Sequence, residues 1–405
     1  MVLGPGGSGV SVVAAGGAAE RPSARRDSRD TVTRAARHTL LITVDRHSPV
    51  ASWAGVYRAP GEPVAVSKYL HLLTLDRLAL TERTWSAFVD ILGETVRRSK
   101  VGLPGVGTVA GIDAAELTAL PGVDDFLLLR RIRDEAVSGE WQRIVVDCSG
   151  CGDPFAFLRA GAVLTQALNR FWPRHRRLAA AAERPAMATL TAAVDAIDRD
   201  CADITELITD PHSVATHLVL GGDDRSRRLA LPMLAEADVM GLPLASVMIN
   251  EGTGSAAEED VVSATFDEVA ASLARRAAES GPTATTVRVA RSAETIDRFA
   301  RLRKLGISLA GPHGEPQGSA AAVVTPVEGS GAETVYEMSW PQRLPDPDAL
   351  ALGRSGDDLL VTVSGFRHPI RLPSVLRRCT VVDAGWDGAR LAIRFVPDPS
   401  VWPKR

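Results

Sequence analysis

Near the start of the chain, Gly4-Pro5-Gly6-Gly7-Ser8-Gly9-Val10-Ser11 sets four glycines and two hydroxyls between a short apolar run, Val2-Leu3, and the apolar stretch Val12-Val13-Ala14-Ala15. Glycines at this density let successive backbone N–H groups converge on one anion, and the helix that begins with that apolar stretch adds the positive end of its dipole. The pattern fits polyphosphate binding. Gly4, Gly6, Gly7, Ser8, Gly9 and Val10 would form the cradle, and the Ser11 hydroxyl would reach a phosphate-bound Mg2+. A flexible glycine-rich tail is the alternative that glycines alone leave open. The loop lacks a cation: lysine occurs only as Lys68, Lys100, Lys304 and Lys404. A charge-assisted hydrogen bond contributes about 1.5–3 kcal/mol, so losing one weakens triphosphate binding roughly ten- to a hundredfold. Hydrolysis suffers more, because phosphoryl transfer depends on stabilising charge that develops in the transition state.

Other residues suited to nucleotide chemistry stand at strand ends. Leu41-Ile42-Thr43-Val44-Asp45-Arg46-His47-Ser48 closes an apolar strand with an aspartate; the plain alternative for Asp45 is a helix N-cap. Arg46 would put a positive charge nearby or simply face solvent. Arg143-Ile144-Val145-Val146-Asp147 has the form of a buried strand whose terminal carboxylate reaches Mg2+, often through water. Asn250 closes another strand; taken alone it reads as a turn asparagine, although its amide offers both a donor and an acceptor. Cys148 and Cys151 form a C-x-x-C, which supplies half a zinc site or a redox pair, but small residues filling a tight loop account for it better. His175, His212 and His368 have no partners at metal or triad spacing and read as surface or structural residues.

The elements that would position these groups alternate. Strand-like runs Thr39–Val44, Arg143–Asp147, His217–Leu220 and Leu244–Ile249 are separated by helix-length amphipathic segments, the signature of βαβ units around a mostly parallel sheet. In such α/β sheets ligands sit at the carboxyl ends of the strands, which would gather Asp45, the segment after Asp147, and Asn250 along one edge. A helical insert is expected over about 77–140 and 173–210. The polar, arginine-rich stretch 21–37 reads as a mobile surface loop. Composition then shifts to Gly, Ala, Pro and Ser, so 309–332 reads as a linker and 333–398 as a small all-β sandwich with strands near Thr334–Trp340, Asp358–Val363, His368–Leu372, Thr380–Asp383 and Arg390–Val396.

With 405 residues, 45% hydrophobic and 23% charged, the chain is long enough for one large α/β domain, over 1–308, and a smaller module. A net charge of -3 argues against nucleic acid as a partner. Four cysteines make no disulfide framework, which implies a reducing, cytoplasmic setting. No stretch is long and apolar enough to span a bilayer. The first strand is cut to two apolar residues, so the start site itself is an open expectation.

The chain resembles the ArsA and tail-anchored-protein-targeting ATPases along nearly its whole length. Their phosphate loop is a deviant Walker A, Gly-Lys-Gly-Gly-x-Gly-Lys-Ser/Thr; here every glycine and the hydroxyl match, while Pro5 and Val10 occupy the two lysine positions. The resemblance implies ATP and Mg2+ as ligands, Ser11 and Asp147 as metal-side residues, Asp45 as the residue orienting the attacking water, and Asn250 as the reader of adenine. Cys148-Ser149-Gly150-Cys151-Gly152 stands where those proteins carry Thr-Ala-Pro-Thr-Gly. Leu120-Pro121-Gly122-Val123 and Phe171-Trp172-Pro173 extend the match. Val363 to Pro373 resembles the α-crystallin-like domain fused to some bacterial relatives, a module that usually makes protein contacts. Relatives are typically homodimers, with a lysine at the Pro5 position crossing the interface. Arsenite thiols and a methionine-rich client groove have no counterpart, since cysteines fall elsewhere and only six methionines exist. The expected function is a nucleotide-binding, weak or inactive ATPase acting as a conformational switch or protein-interaction factor. The alternatives are an active Mg-dependent ATPase in which Arg46 or an arginine of 21–37 replaces lysine, and a nucleotide-free, chaperone-like scaffold.

Overall fold

Residues with no polar alternation build the strands that carry the candidate groups. In a computed structural model, which describes residues 1–20, 38–99, 108, 111–117, 122–252, 256–280, 284–292 and 294–402, Val2–Leu3 (β1), Thr39–Thr43 (β2), Val64–Ser67 (β3), Leu70–Thr74 (β4), Arg143–Asp147 (β5), Thr216–Gly221 (β6), Leu244–Asn250 (β7) and Thr285–Val289 (β8) make a mostly parallel arrangement. Every residue of β2 and β6, and all of β7 except Asn250, is buried. Burial on both faces is what helices packed over a parallel sheet impose.

The chain divides into two units. One comprises 14–208 and 296–306. Its strands run side by side in the order β3-β4-β2-β5, parallel except for the β3–β4 pair, with Thr43 opposite Asp147 in register. Its helices Arg77–Ser99, Val123–Val137, Arg174–Glu183 and Ala188–Thr209 are tied by ion pairs. Arg77 holds Asp124 and Asp125 at 2.6 and 2.7 Å. Arg133 holds Asp200 at 2.8 Å. Arg177, fully buried, reaches Asp195 and Asp198 at 2.8 and 2.6 Å. Leu120, Pro121 and residues 21–37 lie outside the described residues.

The other unit comprises 1–13, 209–295 and 307–405, and it holds the parallel run β1-β6-β7-β8 together with the C-terminal module. The module has two antiparallel sheets. Val323–Glu328 (β9), Val335–Pro341 (β10), Cys379–Trp386 (β14) and Arg390–Pro397 (β15) are ordered β14-β15-β10-β9; Ala351–Ser355 (β11), Asp358–Val363 (β12) and Phe366–Arg371 (β13) form the second. Here burial alternates, as in β12 and β15, so each sheet gives one face to a core containing Trp340, Leu359, Val361, Ile393 and Phe395. Ser364 and Gly365 both adopt positive φ, 51° and 84°, in the two-residue turn joining β12 to β13, the combination a type I′ hairpin requires.

One expectation changes. Residues 309–332, read as a linker, contain β9, which pairs with β10, and a short turn, Gly318–Ala321, packed on the helix Asp224–Met240. Pro326 is tolerated because β9 is an edge strand, whose ladder is open on one side. His368 is buried on β13 and stacked near Phe366, a structural rather than a surface residue. Among the described residues no helix is long and apolar enough to cross a membrane.

Candidate functional site

The glycine-rich segment is a tight turn from β1 into the helix Val10–Ala18. The Ser8 N–H donates to the Pro5 carbonyl at 3.2 Å, and the Val13 N–H to Gly9 at 3.0 Å. Gly7 and Gly9 lie at φ 89° and 91°, the left-handed region that side chains disfavour. Gly4 is required for a different reason: a Cβ there would lie 2.1 Å from the Val219 carbonyl oxygen on β6. Gly6 and Gly7 are exposed at the turn, while Pro5 and Val10 are buried. Val10, at 5% exposure, packs into the apolar interior.

Asn250 braces this loop. Its Nδ2 donates to the Ser8 carbonyl at 2.9 Å, and its Oδ1 accepts from the Gly252 N–H at 3.2 Å. A Cβ on Gly9 would stand 2.1 Å from that Nδ2, so glycine is the residue that lets the brace close. Ser8 is itself buried, and its Oγ has no hydrogen-bond partner among the described residues.

A second support was not legible in the sequence. Asp223 caps the helix Asp224–Met240 by accepting from the Ser226 N–H at 2.9 Å, and Ser226 Oγ accepts from the Gly221 N–H at 2.9 Å. This fixes the first turn of the helix against the loop, and Arg225 Nη1 donates to the Gly6 carbonyl at 3.0 Å. Among the described residues, Arg225 is thus a cation beside the loop. Arg46, read as either placing a charge near the loop or facing solvent, is exposed and donates to His47 Nε2 at 2.9 Å; residues 21–37 lie outside the described residues.

Asp45 and Asp147 cluster in the other unit. Asp147, fully buried at the end of β5, accepts from the Ser149 N–H at 3.1 Å, and its carbonyl accepts from the Val44 N–H at 3.3 Å. Asp45 makes an Asx-type turn, accepting from the His47 N–H at 2.8 Å. It caps no helix, since Pro49 holds the N-cap position of Val50–Ala54. Gly150, at φ 74°, touches it: a Cβ there would lie 2.7 Å from Asp45 Cβ and Cγ. Asp153 caps Pro154–Leu158 by accepting from the Phe155 and Ala156 N–H groups.

In the same loop the Cys151 thiol donates to the Cys148 carbonyl at 2.9 Å. Burial pushes the Cys148 thiol up to about 12, and burial pushes that of Cys151 up as well. The thiolate that zinc binding and disulfide exchange require is thus disfavoured at neutral pH. No cluster of three metal-ligating side chains occurs among the described residues.

Within its own unit, then, the structure brings Gly4, Gly6, Gly7, Ser8, Gly9, Val10 and Ser11 together with Asn250, and separately Asp45 together with Gly150 and the end of β5. Residues 4–260 match the family described as Anion-transporting ATPase, and residues 333–395 match the HSP20-like domain found in ArsA. The chain is 30% identical to Protein Rv2184c of Mycobacterium tuberculosis over 391 residues, covering 91% of each chain. It is 28% identical to Uncharacterized protein SCO2128 of Streptomyces coelicolor, covering all of this chain and 98% of that one.

Proposed function

The chain belongs to the anion-transporting ATPase family, and on that premise we propose that it binds ATP with Mg2+ through the main chain of residues 4–11, hydrolyses it weakly or not at all, and uses the bound nucleotide as a conformational switch toward a protein partner. One observation carries the reading. The turn keeps its left-handed glycines and its helix N-terminus, whereas buried Pro5 and Val10 stand in the two lysine positions. Binding through N–H groups survives that exchange, but charge stabilisation of the transferring phosphoryl does not.

The residues present fit the ligand. Gly7 has open space where a Cβ would stand, so the turn can approach an anion closely. The Ser11 hydroxyl and the Asp147 carboxylate are hard oxygen donors of the kind Mg2+ takes. When bound, MgATP supplies the phosphoryl group and the charge that distinguish two states of the switch. The family resemblance gives Asp45 the role of orienting water, and its turn onto His47 fixes the carboxylate. Asn250 braces Ser8 with one N–H and accepts Gly252 on one lone pair. It retains a second N–H and a second lone pair, the pair an adenine edge matches. A homodimer, and a protein partner on the HSP20-like module, complete the proposal.

Calorimetric titration of the full chain with ATP and Mg2+ tests it. Saturable binding is expected with phosphate release at background, and no heat of binding at millimolar nucleotide rejects it. A second reading, an active ATPase, is favoured by Arg225 on the Gly6 carbonyl, beside the position of the missing signature lysine. In that case steady-state phosphate release is measurable and falls in Arg225→Ala and Asp45→Ala. No turnover above background removes it.

A further inference from the structure

Within the unit that contains the C-terminal module, helices Asp224–Met240 and Ala256–Ser280, the segment after β10 and the turn joining β14 to β15 line an open cavity of about 360 Å3. It lies in the size range of small-ligand sites. Its wall includes Leu231, Ser272, Arg275, Arg276, Arg343 and Trp386, and no carboxylate lines it among the described residues. The charge behind that wall is unbalanced. Asp238, 3% exposed, accepts from Arg276 Nη1 at 2.7 Å, from Arg343 Nε at 2.7 Å and Nη2 at 2.5 Å, and from the Arg343 N–H at 2.9 Å. Two largely buried guanidiniums thus share one carboxylate, and Arg275 adds a third at the rim.

Arg343 Nη1 is buried with no hydrogen-bond partner among the described residues. A buried donor left unpaired is costly, and it marks Arg343, a residue of the cavity wall, as carrying charge that its surroundings do not balance. The wall is also held in place. Gln342 Nε2 donates to the Ala235 carbonyl at 2.9 Å, its Oε1 accepts from Trp340 Nε1 at 3.0 Å, and Trp386 Nε1 donates to the Gln342 carbonyl at 2.9 Å. Fixing both the indole and the guanidinium before a ligand arrives is what a specific site requires.

We propose that this cavity binds a small organic anion, with its carboxylate or phosphate head toward Arg275, Arg343 and Ser272 and its apolar body against Leu231 and Trp386. The site is distinct from the phosphate loop and does not depend on the nucleotide reading.

Calorimetry on the full chain uses phenyl phosphate and benzoate as probes and benzyl alcohol as the uncharged comparator. At least one anion should saturate, with benzyl alcohol at least about tenfold weaker. Arg343→Met should abolish binding, but it also strips Asp238 of a partner. Arg275→Gln, on an exposed rim residue, therefore decides: affinity should fall about tenfold while the melting temperature stays constant. Excess MgATP should not displace the probe. Four results overturn the proposal: no saturation by either anion at about 10 mM, equal binding of benzyl alcohol, unchanged affinity in Arg275→Gln, or displacement by MgATP, which would put the anion at the loop instead.

Discussion

Gly9→Ala probes whether the phosphate loop is held by backbone geometry. Gly9 sits at φ 91°, and an added methyl would lie 2.1 Å from Asn250 Nδ2. Two penalties follow. A residue bearing Cβ in the left-handed region loses about 1–2 kcal/mol. Asn250 must also leave the Ser8 carbonyl, forfeiting a 2.9 Å hydrogen bond with a net contribution of about 1 kcal/mol. The sum, about 2–3 kcal/mol, should appear as a lowered urea midpoint, and the same variant should lose heat of binding with MgATP. A double-mutant cycle separates the parts. In Asn250→Ala the obstacle and the bond are both already gone, so Gly9→Ala should then cost only the backbone term, leaving a coupling of about 1 kcal/mol. A Gly9→Ala cost under about 0.5 kcal/mol, or strict additivity with Asn250→Ala, would refute the brace.

Val10→Lys restores an ammonium group to the loop and should tighten MgATP binding roughly ten- to a hundredfold by calorimetry; unchanged affinity would mean the anion lies elsewhere. Asp238→Ala leaves two buried guanidiniums without their shared carboxylate and should destabilise the chain by about 3–5 kcal/mol in urea unfolding. Burial raises the Cys148 thiol from its ordinary 9.0 to about 12, so the native state favours the protonated thiol. That contribution is complete below pH 9 and is lost as the pH rises from 9 toward 12. The urea midpoint should therefore fall between pH 8 and pH 10 by more in the parent than in Cys148→Ala, and iodoacetamide should label Cys148 slowly until the protein is unfolded.

The parts of the fold written in local pattern were legible. Arg143–Asp147 and Asp358–Val363 have the bounds their residues predict, because each is a short apolar-rich run closed off by polar or glycine residues within one segment. The glycines of residues 4–9 likewise announce their turn. What depends on distant partners did not show. Gly, Ala and Pro between 309 and 332 are as consistent with a tether as with an edge strand, and only the pairing of β9 with β10 decides. Arg225 stands among Arg227 and Arg228, and nothing local marks which of them meets the loop; the capped turn Asp223–Ser226 selects it. Asp238, Arg276 and Arg343 come from three separated segments, so their cluster exists only in the folded chain.

The way the C-terminal module is attached bears on whether it can be transplanted. Three main-chain carbonyls of the α/β part, those of Ala235, Val239 and Leu244, take their donors from Gln342, Ser319 and Gln317. A chain truncated near residue 308 would lose all three donors, and a module grafted onto another protein would carry Gln342 and Arg343 without the groups they serve. The two segments are therefore better swapped between relatives as one piece that includes the helix Asp224–Met240 than cut apart at the glycine-rich stretch between them.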